Sequence, residues 1–217
     1  PVLCSLIDKG FPFVNVVSKN ALDIAAFLTS QPQDGIVSGL CKTYDFLADK
    51  KSRDVFEAII HRVLDVGSDP GIMADVCEEN QYFPTDVIRL SEHESMVDVG
   101  AFNGDTVKDF TKRSRGRFDN IFSFEVDAVN FKSLEETVHA IPERERIKIF
   151  NLGIWNNERD ITYSIGQSQS TVGIGEGKGH VLPLDDVLKN KKVTFIKMDI
   201  EGAEPQALRG SRNIIQT

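Results

Sequence analysis

A short apolar run that breaks at a glycine-bracketed turn, Met96-Val97-Asp98-Val99-Gly100-Ala101-Phe102-Asn103-Gly104, restricts this chain more than any other feature. An apolar strand that stops at glycine and restarts as a helix from about Asp105 opens a βαβ unit, and the pattern repeats downstream. Ile121-Phe122-Ser123-Phe124 stops at Glu125, Ile147-Lys148-Ile149-Phe150 at Asn151, and Val193 to Met198 at Asp199. Helical spacing fills the intervals. Val107 and Phe110 are expected to face inward from about Asp105 to Arg113, and Val129, Leu134 and Val138 from about Ala128 to Ala140, with Pro142 closing the segment. An extra strand is expected over Asp160 to Ser164 and a helical turn over Leu184 to Leu188. The alternation predicts an α/β fold, a doubly wound parallel sheet with helices on both faces.

Before about residue 90 the pattern changes to helical spacing around 22–28, 39–47 and 53–64, with a short apolar stretch at 11–17. Residues 1–90 are therefore read as a mostly helical accessory segment, and 91–217 as the sheet domain. Phe46, Leu47, Phe56, Ile59, Ile60 and Val63 are expected to be core or docking residues. Lys and Arg number 25 against 33 Asp and Glu, a net charge of −8, which disfavours general attraction to nucleic acid. The longest basic cluster, Lys112, Arg113, Arg115 and Arg117, reads as the cationic end of a helix. No apolar run approaches the length of a membrane span, and three scattered cysteines define neither a disulfide framework nor a zinc site, so a reducing, cytoplasmic setting is expected. The four histidines have no ligand spacing, and no metal centre is expected.

The ends of parallel strands form the ligand crevice of such sheets, which directs attention to the residues at which each strand stops. The turn at Gly100 and Gly104 has Gly-x-x-x-Gly spacing, not the three-glycine dinucleotide fingerprint. Glycine there lets the backbone approach a ligand, and the following helix start is expected to offer N–H groups. Asp98 suits a ligand that carries an ammonium, and Glu125, on the neighbouring strand, suits the two hydroxyls of a ribose. A nucleoside with an amino-acid tail meets both conditions, which describes S-adenosylmethionine. Asp199 ends the last strand beside this crevice, while Glu201 and Glu204 also suit the positive end of the next helix.

The motifs DVGAFNGDT (98–106), FEVD (124–127) and IKMDIEGAEPQALRG (196–210), the last preceded by LPLDDVL (182–188), resemble the FkbM family of S-adenosylmethionine-dependent methyltransferases. The resemblance runs in order from about Glu92 to Ile215. It implies a class I methyltransferase fold, S-adenosylmethionine as cofactor, and a small-molecule acceptor methylated on oxygen, a sugar or glycan precursor among the candidates. QYFPTDVIRL (81–90) resembles the entry to family members encoded near carbohydrate-modifying genes, and Gly153 departs from a common alanine. Further C-terminal strands of such a sheet, and with them half the acceptor pocket, are expected to lie beyond this sequence.

Residues and resemblance together give a cofactor set of Asp98, Gly100, Ala101, Phe102, Asn103, Gly104, Thr106, Glu125, Val126, Asn151, Leu152 and Gly153. Asp199, Glu201 and His180 form the catalytic set, with Asp199 orienting or deprotonating the acceptor and His180 a general base on a flexible flap spanning Gly173, Gly175, Gly177 and Gly179. Two other readings stay open: a non-catalytic S-adenosylmethionine-binding module, and a nicotinamide-dependent oxidoreductase on a similar sheet.

Overall fold

The computed structural model describes residues 33–64, 75–77, 82–85, 88–163 and 175–216. The chain divides into two compact units, one ending at Gln81 and the other beginning at Tyr82. In the first, α1 (Gln33–Phe46) and α2 (Lys50–Leu64) are joined by a short turn. Asp49 sets the start of α2 by accepting the Ser52 N–H at 2.8 Å, satisfying a donor that the helix itself cannot. The rings of Tyr44 and Phe56 meet with centroids 6.3 Å apart, and Arg53 lies over Tyr44. Phe46 is 90% exposed and Ile59 45%, so neither is a core residue of this helix pair; among the described residues of α2, Ala58 is buried. The expected elements at 11–17 and 22–28, and the side chain of Val63, lie outside the described residues.

The second unit contains β1 (Ser95–Val99), α3 (Asp105–Arg113), β2 (Asn120–Phe124), α4 (Ala128–His139), β3 (Ile147–Phe150), β4 (Gly153–Ile154), β5 (Arg159–Tyr163), β6 (Gly177–Leu182), α5 (Leu184–Val187), β7 (Phe195–Met198), α6 (Glu204–Arg209) and α7 (Arg212–Gln216). The central sheet is parallel in the order β3-β2-β1-β7. Every residue of β1 is buried, as a strand covered on both faces requires. Alternation along the strands sends Met96, Ile121 and Ile147 to one face, under Val107 and Phe110 of α3 and Leu134 and Val138 of α4. Val97, Val99, Phe122 and Phe124 go to the other, against Ile154, Leu184, Leu188, Ala207 and Ile214. Helices thus cover both faces of a Rossmann-like sheet, as the alternation predicts.

Three local readings change. Val129 is 62% exposed because α4 turns Phe131, Leu134 and Val138 inward, at i, i+3 and i+7, which leaves position 129 on the outer side. The unit boundary falls before residue 82 and not at 90, because Tyr82, Phe83, Ile88 and Leu90 pack on the first core. Of the glycines expected in a flap, Gly173 lies outside the described residues, and Gly177 and Gly179 lie in β6, which pairs antiparallel with β5 and parallel with β4 in a small separate sheet. A Cβ at Gly177 would lie 2.5 Å from the Tyr163 ring, and one at Gly179 would lie 2.3 Å from Val126. These glycines are spacers for packed side chains. Among the described residues no helix is long and apolar enough to cross a membrane.

Candidate functional site

Strand parity arranges two rows of residues at the C-terminal edge of the sheet, on the face covered by α3 and α4. In the lower row the register places Asp98 between Ser123 and Lys197. One pleat further on, where the strands have just ended, come Gly100, Glu125, Asn151 and Asp199. The apolar core therefore gives way to a polar shelf and then to an open rim.

The lower row holds a buried charge pair. Lys197 Nζ lies 3.1 Å from Asp98 Oδ1 and donates to the Gly100 carbonyl at 2.6 Å, with side chains 5% and 0% exposed. Burial pushes the Asp98 carboxyl up to about 6, the Lys197 ammonium opposing the shift. The ion pair is close in distance but poorly directed, so both Asp98 oxygens lack a well-aligned hydrogen bond, as does the neighbouring Ser123 Oγ. The charge of Asp98 is thus answered by Lys197 beneath the surface, whereas the sequence reading has it facing a ligand ammonium.

The rim is formed by the Gly100 turn. Gly100 has φ 80° and Phe102 φ 48°. A Cβ on Gly100 would stand 2.1 Å from the Asp199 carbonyl, so this position admits only glycine without backbone movement. Glu125 is 7% exposed and accepts the Phe102 N–H on Oε2 and the Asp127 N–H on Oε1, each at 2.8 Å. Burial nevertheless holds its carboxyl above the usual range, the two N–H groups acting the other way. Asp127 in turn caps α4 by accepting from the Val129 and Asn130 N–H groups. Asn151 donates its amide to the Glu125 carbonyl at 2.8 Å.

The N–H groups expected to be free at this turn are largely engaged. Gly100 and Ala101 both donate to the Phe124 carbonyl, Gly104 to Ala101, Asp105 to Asn103 Oδ1, and Thr106 to Asp105 Oδ1. Ala101, Gly104 and Thr106 are buried, as is Asp98, and they shape the turn from below. Phe102, Asn103 and Asn151 are exposed, and Gly100, Val126, Leu152 and Gly153 are half-buried. Val126 and Asn151 also line a cleft of about 900 Å³ whose outer wall is the β5–β6 hairpin, with Arg159, Thr162, Lys178 and His180.

The three expected catalytic residues fall in two places. Asp199 ends β7, where its N–H bonds the Val99 carbonyl and Oδ2 accepts the Tyr82 hydroxyl at 2.5 Å. Glu201 follows at φ 53°, exposed, and partial burial together with the like charges of Asp199 and Glu204 raises its carboxyl. Glu204 has the capping part, accepting the Ile200 and Gly202 N–H groups at 2.9 and 2.8 Å. His180 is on β6, not on a flap. Its ring nitrogens face Asp160 at 2.9 Å and Glu158 at 3.3 Å, and the Asp160 contact raises its pKa. Two carboxylates thus favour the charged form of the imidazole. Its proton NMR titration is expected above the ordinary histidine range, moving down in Asp160→Asn; an unchanged midpoint would remove the pairing. Among the described residues no cluster of His, Cys, Asp and Glu is placed to hold a metal ion.

Sequence reading missed Lys197 and Tyr82. Lys197 lies inside a motif already singled out, and its parity with Asp98 on a parallel strand is the signal that marks it. Tyr82 offers no such signal, since its partner is 117 residues away.

This arrangement has counterparts. No curated protein sequence matches the chain. A crystal structure described as methyltransferase FkbM from Methylobacillus flagellatus KT superposes with a TM-score of 0.70 at 26% identity, over 84% of this chain and 46% of that one. The chain thus spans about half the length of that protein. The profile described as Methyltransferase FkbM domain matches residues 98–217, from the buried Asp98 through every strand end of the site. With that match covering more than half of its length, the chain belongs to the FkbM methyltransferase family.

Proposed function

We propose that residues 82–217 carry an S-adenosylmethionine-dependent methyltransferase domain that acts on oxygen of a small molecule, a sugar or other hydroxylated compound. The observation that carries this reading is the placement of Glu125 beside the Gly100 turn. Each Glu125 oxygen accepts one backbone N–H and keeps further acceptor capacity, which suits the two hydroxyls of a ribose. The residues present fit such a cofactor. The turn at Gly100 keeps side chains out of the backbone's path, Val126 and Asn151 open the adjoining cleft to a nucleobase, and the polar atoms of Asp98 and Ser123, which lack a well-aligned hydrogen bond, lie directly below the turn. When bound, that cofactor supplies an activated methyl group on a sulfonium. The chain's own residues then have to orient an acceptor hydroxyl in line and accept or share its proton. Asp199, at the rim, is the carboxylate we assign to that part, with Glu201 beside it.

A nicotinamide dinucleotide fits less well, because its diphosphate needs free N–H groups at the first turn and those at Phe102, Gly104, Asp105 and Thr106 are taken.

The test is Glu125→Ala, titrated calorimetrically with S-adenosylhomocysteine beside the parent protein. Losing the charge-assisted bonds to two hydroxyls is expected to weaken binding by about tenfold to a hundredfold, water recovering part of the loss. Stability without ligand is also expected to fall, by about 1–3 kcal/mol, since the Phe102 and Asp127 N–H groups lose their partner. That differs from the behaviour of an acid at an open strand end, which would leave stability unchanged. Equal affinities would sink the ribose assignment. A thermal shift with NADH but none with S-adenosylhomocysteine would favour the oxidoreductase.

A further inference from the structure

We infer that Tyr82 is a positioning residue for Asp199, its hydroxyl aiming the carboxylate and its ring seated on the buried Lys197 ammonium. The inference rests on the methyltransferase reading for its consequence, though not for its geometry.

Five groups from three separate parts of the chain meet here. The Tyr82 hydroxyl donates to Asp199 Oδ2 at 2.5 Å. The Lys197 ammonium lies 5.2 Å from the centroid of the Tyr82 ring, within the range of a cation–π contact. The same ammonium is held from below by Asp98 at 3.1 Å and from the side by the Gly100 carbonyl at 2.6 Å. Phe83, the next residue, is buried and stacks on Phe195 with centroids 5.5 Å apart, so the backbone that presents Tyr82 is anchored to β7. The polar contacts of the phenol and the Phe83–Phe195 stack are thus tied to the strand that carries Asp199.

Chemically, this matters because a single exposed carboxylate at a strand end has free rotation about its side-chain bonds. A charge-assisted bond at one oxygen fixes the plane of the carboxylate and leaves Oδ1 to meet an acceptor hydroxyl. The phenol is suited to remain a donor: burial and the Asp199 carboxylate, with Asp105 and Asp98 contributing, hold its proton well above the ordinary tyrosine range. Lys197, under the ring, is the cation facing it and Glu201 the carboxylate next along the chain from Asp199. The arrangement also links the two halves of the site, since the cation that seats the ring also holds the Gly100 carbonyl.

The experiment uses the whole chain labelled with ¹³Cζ-tyrosine, which gives resonances for Tyr44, Tyr82 and Tyr163, with Tyr82 assigned by its loss in Tyr82→Phe. In Asp199→Asn, and in Asp199→Ala as a second variant, the Tyr82 resonance at neutral pH is expected to move and its ionisation to begin at lower pH. In Tyr82→Phe the ring and its seat on Lys197 are kept, so S-adenosylhomocysteine affinity is expected to stay within about threefold of the parent. Transfer of labelled methyl from S-adenosylmethionine to simple glycosides, for any that the parent accepts, is expected to fall about tenfold to a hundredfold in kcat. An unmoved Tyr82 resonance in both Asp199 variants would overturn the inference whatever the enzyme's activity. Failure of the parent to bind S-adenosylhomocysteine would instead count against the methyltransferase reading and leave the resonance test to decide the pairing.

Discussion

Lys197→Met is expected to lower the stability of the ligand-free protein by about 3–5 kcal/mol at neutral pH, the range for removing one partner of a buried ion pair. The cause is Asp98, fully buried and left without its cation. The loss is expected to depend on pH, in a direction fixed by the carboxyl. In the parent, burial raises the Asp98 pKa from 3.8 to about 6, so the folded state holds the proton more tightly than the unfolded chain. Stability from this group is therefore full below pH 3.8 and is lost as pH rises through about 6. Removing Lys197 removes the main opposing influence and extends that falling limb upward. Urea unfolding at about pH 5 and pH 8 is expected to show the larger deficit at pH 8. The double variant Asp98→Asn/Lys197→Met is expected to recover much of the loss, because an uncharged amide has less hydration to forfeit. A deficit of the same size at both pH values would mean that Lys197 acts by packing and not by charge.

Gly100→Ala is expected to cost about 2–5 kcal/mol, from left-handed backbone strain of about 1–2 and overpacking of about 1–3. The φ of 80° disfavours any side chain, and the new Cβ meets the Asp199 carbonyl at 2.1 Å, backbone that cannot rotate away. Gly202→Ala separates the two causes, because φ there is 96° but nothing lies within 4 Å of the added carbon. Gly202→Ala should show the strain alone. If denaturant midpoints fall equally in both variants, the close approach at Gly100 does not exist in solution. S-adenosylhomocysteine affinity is expected to fall with Gly100→Ala and to stay near the parent value with Gly202→Ala.

Much of this architecture is legible from local chemistry. The strands β1, β2 and β3 lie within one residue of their expected bounds, since short apolar runs that end at glycine or an acid define strand and stop together. Residues 95–99 and 120–124 also pair as neighbours, which puts Glu125 beside the Gly100 turn as a Rossmann-type order predicts. Helix α4 was legible in place and, through Leu134 and Val138, in face, but Val129 is apolar yet stands off the i, i+3, i+7 stripe. Of the small sheet only β5 was legible, at Arg159–Tyr163 against an expected strand over Asp160 to Ser164. Strand β6 begins with Gly177-Lys178-Gly179, a composition that reads as a flexible loop, and only the rings and methyls packed against those glycines make it a strand. Asp98 was legible as important but not in its partner. Its counter-charge arrives from a strand far along the chain, and register between distant strands is not written in local sequence. The partner of His180 was not legible for the same reason: its carboxylate neighbour Asp160 is 20 residues earlier and meets it only through the pairing of β5 with β6.

The distance along the chain between Gly100 and Lys197 also sets an order of events. The bond joining them spans 97 residues, and β7 takes its place beside β1 only after everything between has been made. At the ribosome's pace of about 5–20 residues per second, that interval lasts ~5–20 s. During it β1 has neither its second neighbour nor the cation for Asp98, so a sheet assembled from β1, β2 and β3 must keep that carboxyl protonated or wet. Closing so long a loop is slow as well as late. The nascent chain is thus obliged to hold its central strand half-covered until the IKMD segment emerges, and that is the stage at which a chaperone would find something to grip.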